Sequence, residues 1–295
     1  MLVNSYCYHG SVDESLIVVG PDGGGTARPG NVGAPCDVTL TSRVAEFNDL
    51  AGLERELAHG DVAAVLMEPA LTNIGIVLPE PGYLAGVRDL TRRYGTLLIN
   101  DETHTFSAGP GGCTAAWDLE PTCSPSARRS AAASRPAPTA SADLAERLLD
   151  RADLDLVDMG GVGGTLAGNA LSIAATRATL EHVLTDEAFA RMAKLSERFE
   201  AGVRAGIEAH HLPWSVSRLG ARTEYRFTSP VPRTGTESAA AADPELEDFL
   251  HLYLANRGIL LTPFHNMALM CPDTTEQDVD THTEVFAAAL AELVG

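Results

Sequence analysis

Carboxylate side chains follow two apolar stretches of the chain. Glu68 ends the stretch "DVAAVLME", and Asp101 follows "TLLIN", with Glu102, Thr103 and His104 directly after it. Neighbouring parallel strands present their carboxyl ends at one edge of an open α/β sheet, and such edges bind ligands. We therefore expect these acids to line a ligand site.

A metal site is an alternative use of the same side chains. Asp101, Glu102 and His104, together with His9 or His265, offer carboxylate and imidazole groups of the kind that bind zinc. Adjacent residues of a strand point to opposite faces, however, so Asp101 and Glu102 do not easily share one ion. The sequence therefore predicts no metal site here.

The acids need a sheet to position them, and the flanking sequence predicts one. The continuous apolar runs at 61–68 and 96–100 are typical of strands buried on both faces. Between them, "PGYLAGVRDLTRRYG" (81–95) has apolar residues at helical spacing. Strand, helix and strand with short connections form a βαβ unit, which implies a parallel sheet.

The second half of the chain alternates between helical and extended patterns. The predicted elements are helices at 144–155, 187–211, 244–258 and 275–294, a strand pair at 214–228 and a short strand at "ILLTP" (259–263). The segment 121–142 interrupts this order, because it contains no Leu, Ile, Val, Phe or Met. Its composition is that of a flexible linker.

Composition and charge exclude several classes of partner. The chain has 295 residues, 45% of them hydrophobic, and a formal net charge of −19. Such a negative charge argues against nucleic acid and anionic membranes as partners. The five cysteines have no C-x-x-C spacing and no apolar run reaches membrane length, so we expect a cytoplasmic protein. Lys194 is the only lysine.

Four stretches together resemble the class III aminotransferases, the group of fold-type-I pyridoxal-phosphate enzymes that includes glutamate-1-semialdehyde aminomutase. They occur in the order and spacing of the family, and apart from 121–142 the resemblance covers nearly the whole chain. The stretches are "YHGSVDE" (8–14), 65–103, "GGTLAGNALSIAA" (163–175) and 259–286.

The resemblance implies pyridoxal 5'-phosphate as cofactor and a role for each matching residue. Asp101 would pair with the pyridine nitrogen and keep it protonated, so that the ring can accept electrons. Tyr8 would stack on the ring, with His9 and Gly10 shaping the turn beside it. The remaining residues implied near the cofactor are Glu68 and Asn73 in the site wall, His104 near the ring, where the family usually has glutamine or methionine, and Gly164 and Thr165 at the phosphate of a neighbouring subunit.

The lysine that the family uses to hold the cofactor is missing. The family places it in a Gly-Lys pair that would fall at Ala127-Arg128, inside the linker-like segment. Synonymous G+C-rich codons for this segment, read one frame over, can give an apolar strand, Gly-Lys and a glycine turn. We therefore expect a frame-shifted lysine motif here. Lys194 lies in the pattern of a long amphipathic helix and is predicted to be a surface charge.

The chain also begins close to a motif that lies well inside the family's large domain. The resemblance therefore implies a shortened α/β fold: an incomplete cofactor-binding domain at 1–176, a connecting helix at 177–207 and a small α+β domain at 208–295. It implies amino-group transfer on an amino acid or amino ketone, in a homodimer. The alternative is a non-catalytic remnant, because the Schiff-base lysine is absent.

Overall fold

A six-stranded sheet carries the predicted ligand edge. The structure, a computed structural model, describes residues 1–10, 12–31, 37–125, 138–140, 146, 150 and 169–295. Strands in these ranges are β1 (Leu2–Asn4), β2 (Ile17–Val19), β3 (Gly25–Ala27), β4 (Arg43–Ala45), β5 (Ala64–Met67), β6 (Leu97–Asn100), β7 (Cys123–Pro125), β8 (Pro138–Ala140), β9 (Ser215–Leu219), β10 (Arg222–Arg226) and β11 (Met267–Leu269). The large sheet has the order β4-β1-β5-β6-β7-β8, parallel except for β8.

Helices cover this sheet and make up much of the second half of the chain. Within the described ranges they are α1 (Leu50–Leu57), α2 (Tyr83–Arg93), α3 (Gly112–Ala116), α4 (Ala170–His182), α5 (Asp186–Ala209), α6 (Gly235–Ala240), α7 (Pro244–Ala255) and α8 (Glu276–Val294). None of them is both long and apolar enough to cross a bilayer.

The predicted βαβ unit is confirmed as β5, α2 and β6. The two strands pair in parallel, from Ala64 opposite Leu97 to Met67 opposite Asn100. Val87 on α2 is buried in the same apolar cluster as the strand residues. Burial of this apolar helix face against the sheet supplies the main driving force for the unit.

A second, antiparallel sheet has the order β11-β10-β9 and packs against α5, which in turn packs against α8. Phe199 on α5, Tyr225 on β10 and Phe286 on α8 are almost completely buried in one apolar cluster. The predicted final helix is confirmed, and Thr275 caps it in a reciprocal pair with Asp278. The expected combination of a mostly parallel sheet, flanking helices and a smaller α+β part is therefore confirmed.

Two local predictions are wrong. "ILLTP" is not a strand, because Phe264 adopts a left-handed backbone with φ 64° and turns the chain back. The strand forms after this turn instead, where Met267–Leu269 pairs with Arg222–Glu224. The single helix expected at 177–207 is also interrupted: α4 ends at His182, and Thr185 caps the start of α5.

Part of the linker-like segment lies outside the described residues. Residues 121–125 and 138–140 of it are described, and there β7 pairs with both β6 and β8. The proposed frame-shifted lysine position lies in the undescribed part, as does most of the predicted helix at 144–155. The division into domains stays a prediction.

Candidate functional site

The carboxyl ends of β5 and β6 bring Glu68 and Asp101 to one edge of the sheet. The backbone N–H of Asp101 donates to the carbonyl of Met67 at 2.7 Å and so continues the pairing of the two strands. Asp101 is 9% exposed and Glu68 2%. The two acids therefore lie at the same edge of the sheet, because parallel pairing puts both strand ends in register.

Asp101 forms a close pair with His9, which follows β1. Nδ1 of His9 lies 2.8 Å from Oδ2 of Asp101, and the backbone N–H of Thr103 donates to Oδ1 at 2.9 Å. Burial acts to lower the pKa of His9, but Cys7 and Asp101 outweigh it and raise the pKa to about 10. Burial acts to raise the pKa of Asp101, but hydrogen bonds from His9 and Thr103 outweigh it and lower that pKa. At neutral pH the pair therefore consists of an imidazolium and a carboxylate.

Both side chains of the pair have hydrogen-bonding atoms that are not fully used. Nε2 of His9 is buried and has no hydrogen-bond partner. The side chain of Asp101 remains 12% exposed after both of its hydrogen bonds are formed. A carboxylate has about four lone-pair sites, so Asp101 can accept a further hydrogen bond from a ligand.

The loop that carries His9 turns at Gly10, whose φ of 98° is readily adopted only by glycine. The Tyr8 side of this loop is at the surface, and Tyr8 is 41% exposed. Asn73 supports the loop from the β5 side, because its amide donates to the carbonyl of Tyr6 at 3.2 Å. Tyr8, His9, Gly10 and Asn73 thus lie in or against one loop beside Asp101, and their roles toward a cofactor stay predictions.

Glu68 and His104 meet through Thr72, a residue that the sequence did not indicate. Oγ1 of Thr72 lies 2.5 Å from Oε1 of Glu68 and 2.7 Å from Nδ1 of His104. The direct separation between Nδ1 of His104 and Oε1 of Glu68 is 3.6 Å. The spacing of four residues between Glu68 and Thr72 is a weak signal, since the intervening "PAL" follows neither a helix nor a strand pattern.

Glu102 turns away from this group, as the alternation of strand residues predicts. Its carboxylate accepts hydrogen bonds from the hydroxyl of Thr105 at 2.5 Å and from the backbone N–H groups of Cys113 and Thr114 at 3.1 and 2.5 Å. Glu102 therefore ties the loop after Asp101 to the start of α3.

The side chains of the alternative metal site are not brought together. Glu102 is engaged with α3, and His265 lies in the other sheet region, with Nδ1 3.1 Å from Oε1 of Glu224. In the ranges that the structure describes, no three His, Cys, Asp or Glu side chains converge to hold a metal ion.

The small sheet contacts the turn that follows Asp101. Gly220, between β9 and β10, has φ 58°, and a Cβ there would lie 2.2 Å from the carbonyl oxygen of Ser107. The next residue, Ala221, donates its N–H to that carbonyl at 2.9 Å. The tip of this hairpin is therefore packed directly on the backbone of residues 105–108.

A cavity of about 620 Å³ lies between α2, α3 and the sheet, and Leu98, Asn100 and Trp117 are among the residues that line it. Because Leu98 and Asn100 alternate with Asp101 along the strand, this cavity opens on the opposite face of the sheet. None of the predicted site residues lines it, so it is separate from the candidate site.

Three residues of the predicted site region lie outside the described residues. These are Gly164 and Thr165, expected at the phosphate, and Arg128, near the expected lysine. Lys194 is described: it lies on α5 and is exposed, as predicted.

The family model described as aminotransferase class-III matches residues 1–290 of this chain. The chain is 32% identical to the glutamate-1-semialdehyde 2,1-aminomutase of Chloroflexus aggregans and 31% identical to that of Desulfitobacterium hafniense. Each match covers 97% of this chain and 66% of the relative. The chain thus spans about two thirds of the length of these relatives.

Solved structures of aminomutases and transaminases are also similar to this chain. A glutamate-1-semialdehyde aminomutase from Pseudomonas aeruginosa is 46% identical, with a TM-score of 0.93 over 99% of this chain and 66% of its own. A variant of that enzyme, in which alanine replaces a lysine, was solved in complex with PMP. An omega-transaminase from Sphaerobacter thermophilus is 26% identical, with a TM-score of 0.85 over 100% of this chain and 68% of its own.

Proposed function

The chain belongs to the class III aminotransferase family, and on that premise we propose that it binds pyridoxal 5'-phosphate without a covalent bond, at a site centred on Asp101. The reaction class that this site serves is amino-group transfer on an amino acid or an amino ketone.

The close pair of Asp101 and His9 is the observation that carries the proposal. A carboxylate with a lowered pKa, at the edge where an α/β sheet binds ligands, is suited to hold a protonated ring nitrogen. His9 keeps Asp101 charged, and Thr103 fixes the direction of the carboxylate. The remaining acceptor capacity of Asp101 fits one further N–H donor, as a pyridinium would supply.

Pyridoxal phosphate, when bound, supplies a ring that accepts electrons from a bond to the substrate carbon. In this reaction, the protein would hold a proton at the ring nitrogen through Asp101 and would cover the ring with the surface residue Tyr8. Gly164 and Thr165 would bind the phosphate of the cofactor held by a neighbouring subunit.

The absence of a lysine at the site lowers the expected rate of amino-group transfer. Lys194, the only lysine, is exposed on α5, so no lysine side chain at the site can take or return the substrate proton. Loss of such general acid–base catalysis costs roughly two to four orders of magnitude in rate. A non-catalytic binding protein is therefore the second candidate, and it is proposed on the absence of that lysine alone. The solved relative that holds PMP after replacement of a lysine supports binding without a covalent bond.

Absorbance and reduction test the proposal. On addition of pyridoxal phosphate, we expect saturable binding that dialysis reverses and that Asp101→Asn weakens by about tenfold or more, since a charge-assisted hydrogen bond is lost. After borohydride treatment, we expect no stoichiometric adduct. Lys194→Arg is the matched control and should bind equally well. Binding that is unaffected by Asp101→Asn, or a reduced adduct at Lys194 that accounts for all bound cofactor, would refute the proposal.

Activity separates the two candidates. Transferase activity is supported if the protein releases a keto product from an amino acid faster than free pyridoxal phosphate does. This rate should also fall in Asp101→Asn. Binding with no such rate supports the non-catalytic candidate. Assembly as a homodimer belongs to the same proposal, and light scattering on the full chain with and without cofactor tests it.

A further inference from the structure

The cavity between α2, α3 and the sheet has a buried amide in its wall. Asn100 lines this cavity and is only 3% exposed. The side-chain amide of Asn100 has no hydrogen-bond partner among the described residues, and yet its atoms are not fully enclosed. They are therefore accessible from the cavity. Because most buried polar groups are hydrogen-bonded, a ligand or a water molecule is expected at this amide.

A cation lines the same cavity. Arg88, on α2, forms no ion pair with the residues that the structure describes, and its Nε is buried without a hydrogen-bond partner. Burial and the charge of Arg92 lower the pKa of Arg88. Both causes disfavour the charged guanidinium, and an anion bound beside Arg88 would favour it.

The acidic side chains around the cavity do not take this place. Glu80 and Glu120 form ion pairs with arginines other than Arg88. Asp89 and Asp118 are exposed, so water solvates their charges. The inner wall of the cavity therefore favours an anion, although the protein as a whole is negatively charged.

The remaining wall is apolar, and the cavity has the size of a small-molecule site. Met67 of β5, Leu98 of β6 and Trp117 after α3 line a volume of about 620 Å³. Sites for small molecules have volumes of about 300 to 1,000 Å³ and combine apolar walls with a few polar groups. The indole of Trp117 offers a flat face to an aromatic ring.

We propose that this cavity is a second ligand site, for an aromatic carboxylate that also carries a hydroxyl or keto group. The carboxylate pairs with Arg88, the ring packs against Leu98 and Trp117, and the amide of Asn100 forms a hydrogen bond with the hydroxyl or keto oxygen. This inference does not depend on the proposed function, because the described residues that line the cavity are not those of the site around Asp101.

NMR of the indole groups tests the location of the site. The chain has two tryptophans, so protein labelled with 15N-tryptophan gives two indole signals, and the signal missing from Trp214→Phe assigns both. The probe is 6-hydroxy-2-naphthoate. We expect a saturable shift of the Trp117 signal and no shift of the Trp214 signal, since Trp214 is buried in the cluster around the antiparallel sheet. No saturable shift at Trp117, or an equal shift at both tryptophans, overturns the proposal.

The pairing of the carboxylate with Arg88 is tested with a second probe. Arg88→Met should weaken binding of 6-hydroxy-2-naphthoate about tenfold or more, and Arg88→Lys should recover part of the loss. Binding of 2-naphthol, which has no carboxylate, should be the same in Arg88→Met. Arg93→Met is the matched control, because it removes a charge of α2 that does not line the cavity. If Arg88→Met weakens both probes equally, the ion pair is refuted.

The hydrogen bond of Asn100 is tested in the same way. Asn100→Leu keeps the approximate volume of the side chain and removes the amide. It should weaken 6-hydroxy-2-naphthoate about fivefold and leave the affinity for 2-naphthoate, which has no hydroxyl, unchanged. An equal loss for both probes, or no loss for either, refutes the role of Asn100. The proposed function is tested separately, by the effect of Asp101→Asn on binding of pyridoxal phosphate, so the two proposals can fail independently.

Discussion

Replacement of Asp101 by asparagine should destabilise the protein strongly at neutral pH. Asparagine can still accept the hydrogen bond from His9, but it cannot compensate the charge of a buried imidazolium. In the unmodified protein, the pKa of His9 is raised from 6.5 to about 10 against the effect of burial. By proton linkage, a shift of this size contributes about 4 kcal/mol to the free energy of unfolding near pH 7. Cys7 is a larger cause of this shift than Asp101, so Asp101→Asn removes only part of the contribution, and we expect a loss of about 1 to 3 kcal/mol, as for a buried group that loses its charged partner.

The loss should depend on pH in one direction. Folded His9 keeps a proton that the unfolded chain releases above about pH 6.5, so the contribution of His9 is complete below that pH and disappears as the pH rises through about 10. Asp101 has a lowered pKa, so its own contribution is present above 3.8 and is lost as the pH falls through the folded value. The pair is therefore most stabilising between about pH 4 and about pH 6.5.

Urea unfolding of both proteins at about pH 6.5 and about pH 10.5 measures this difference. Six tyrosines, five cysteines and Lys194 also titrate in the alkaline range, so the comparison uses the difference in unfolding free energy between the two proteins at each pH. Asp89→Asn, at an exposed position of α2, is the matched control and should have little effect at either pH. A destabilisation by Asp101→Asn that is the same at both pH values would refute the ionised pair.

Three further substitutions test other parts of the structure. Burial lowers the pKa of His282 to about 4, and both of its ring nitrogens lack partners. Unfolding lets this histidine bind a proton, so the free energy of unfolding falls between about pH 7 and about pH 5. In His282→Phe this fall should be smaller by about 2 kcal/mol. Glu102→Gln should cost about 2 kcal/mol, since one amide oxygen replaces a carboxylate that accepts three hydrogen bonds. Gly220→Ala should cost about 2 kcal/mol or more, from the left-handed backbone and the clash with Ser107. Urea unfolding measures all three.

Each of these predictions has an outcome that contradicts it. An acid dependence in His282→Phe equal to that of the unmodified protein would show that His282 is accessible, and His59→Phe, at an exposed position, is its control. Full stability of Glu102→Gln would mean that the carboxylate does not hold α3. A neutral effect of Gly220→Ala would mean that the hairpin can move away from residues 105–108.

The sequence was sufficient for elements with strong local patterns. The strands β5 and β6 and the helix α2 follow from continuous apolar runs and from helical spacing, and α8 follows from its capping threonine. The strand near residue 260 was misplaced, because "ILLTP" is as apolar and β-branched as a strand should be. The competing cause is the turn at Phe264, whose left-handed backbone depends on tertiary structure and has no glycine to mark it.

The site was predicted in part. The meeting of Glu68 and Asp101 follows from strand order, which the βαβ pattern implies. The hydrogen bond between His9 and Asp101 joins residues 92 positions apart. The pairing of β1 with β5 and of β5 with β6 brings these residues together. Thr72 was missed for a similar reason: its role depends on the angle at which the loop after β5 passes His104, and no local pattern encodes that angle.

The contact between the β9–β10 hairpin tip and residues 105–108 has a mechanical consequence. At this contact Gly220 has no room for a side chain, and Ala221 donates a backbone hydrogen bond to Ser107. A movement of the antiparallel sheet must therefore either carry the loop after Asp101 with it or break this hydrogen bond. A label at the hairpin tip would report on displacement of the acid, although the two are far apart in the sequence.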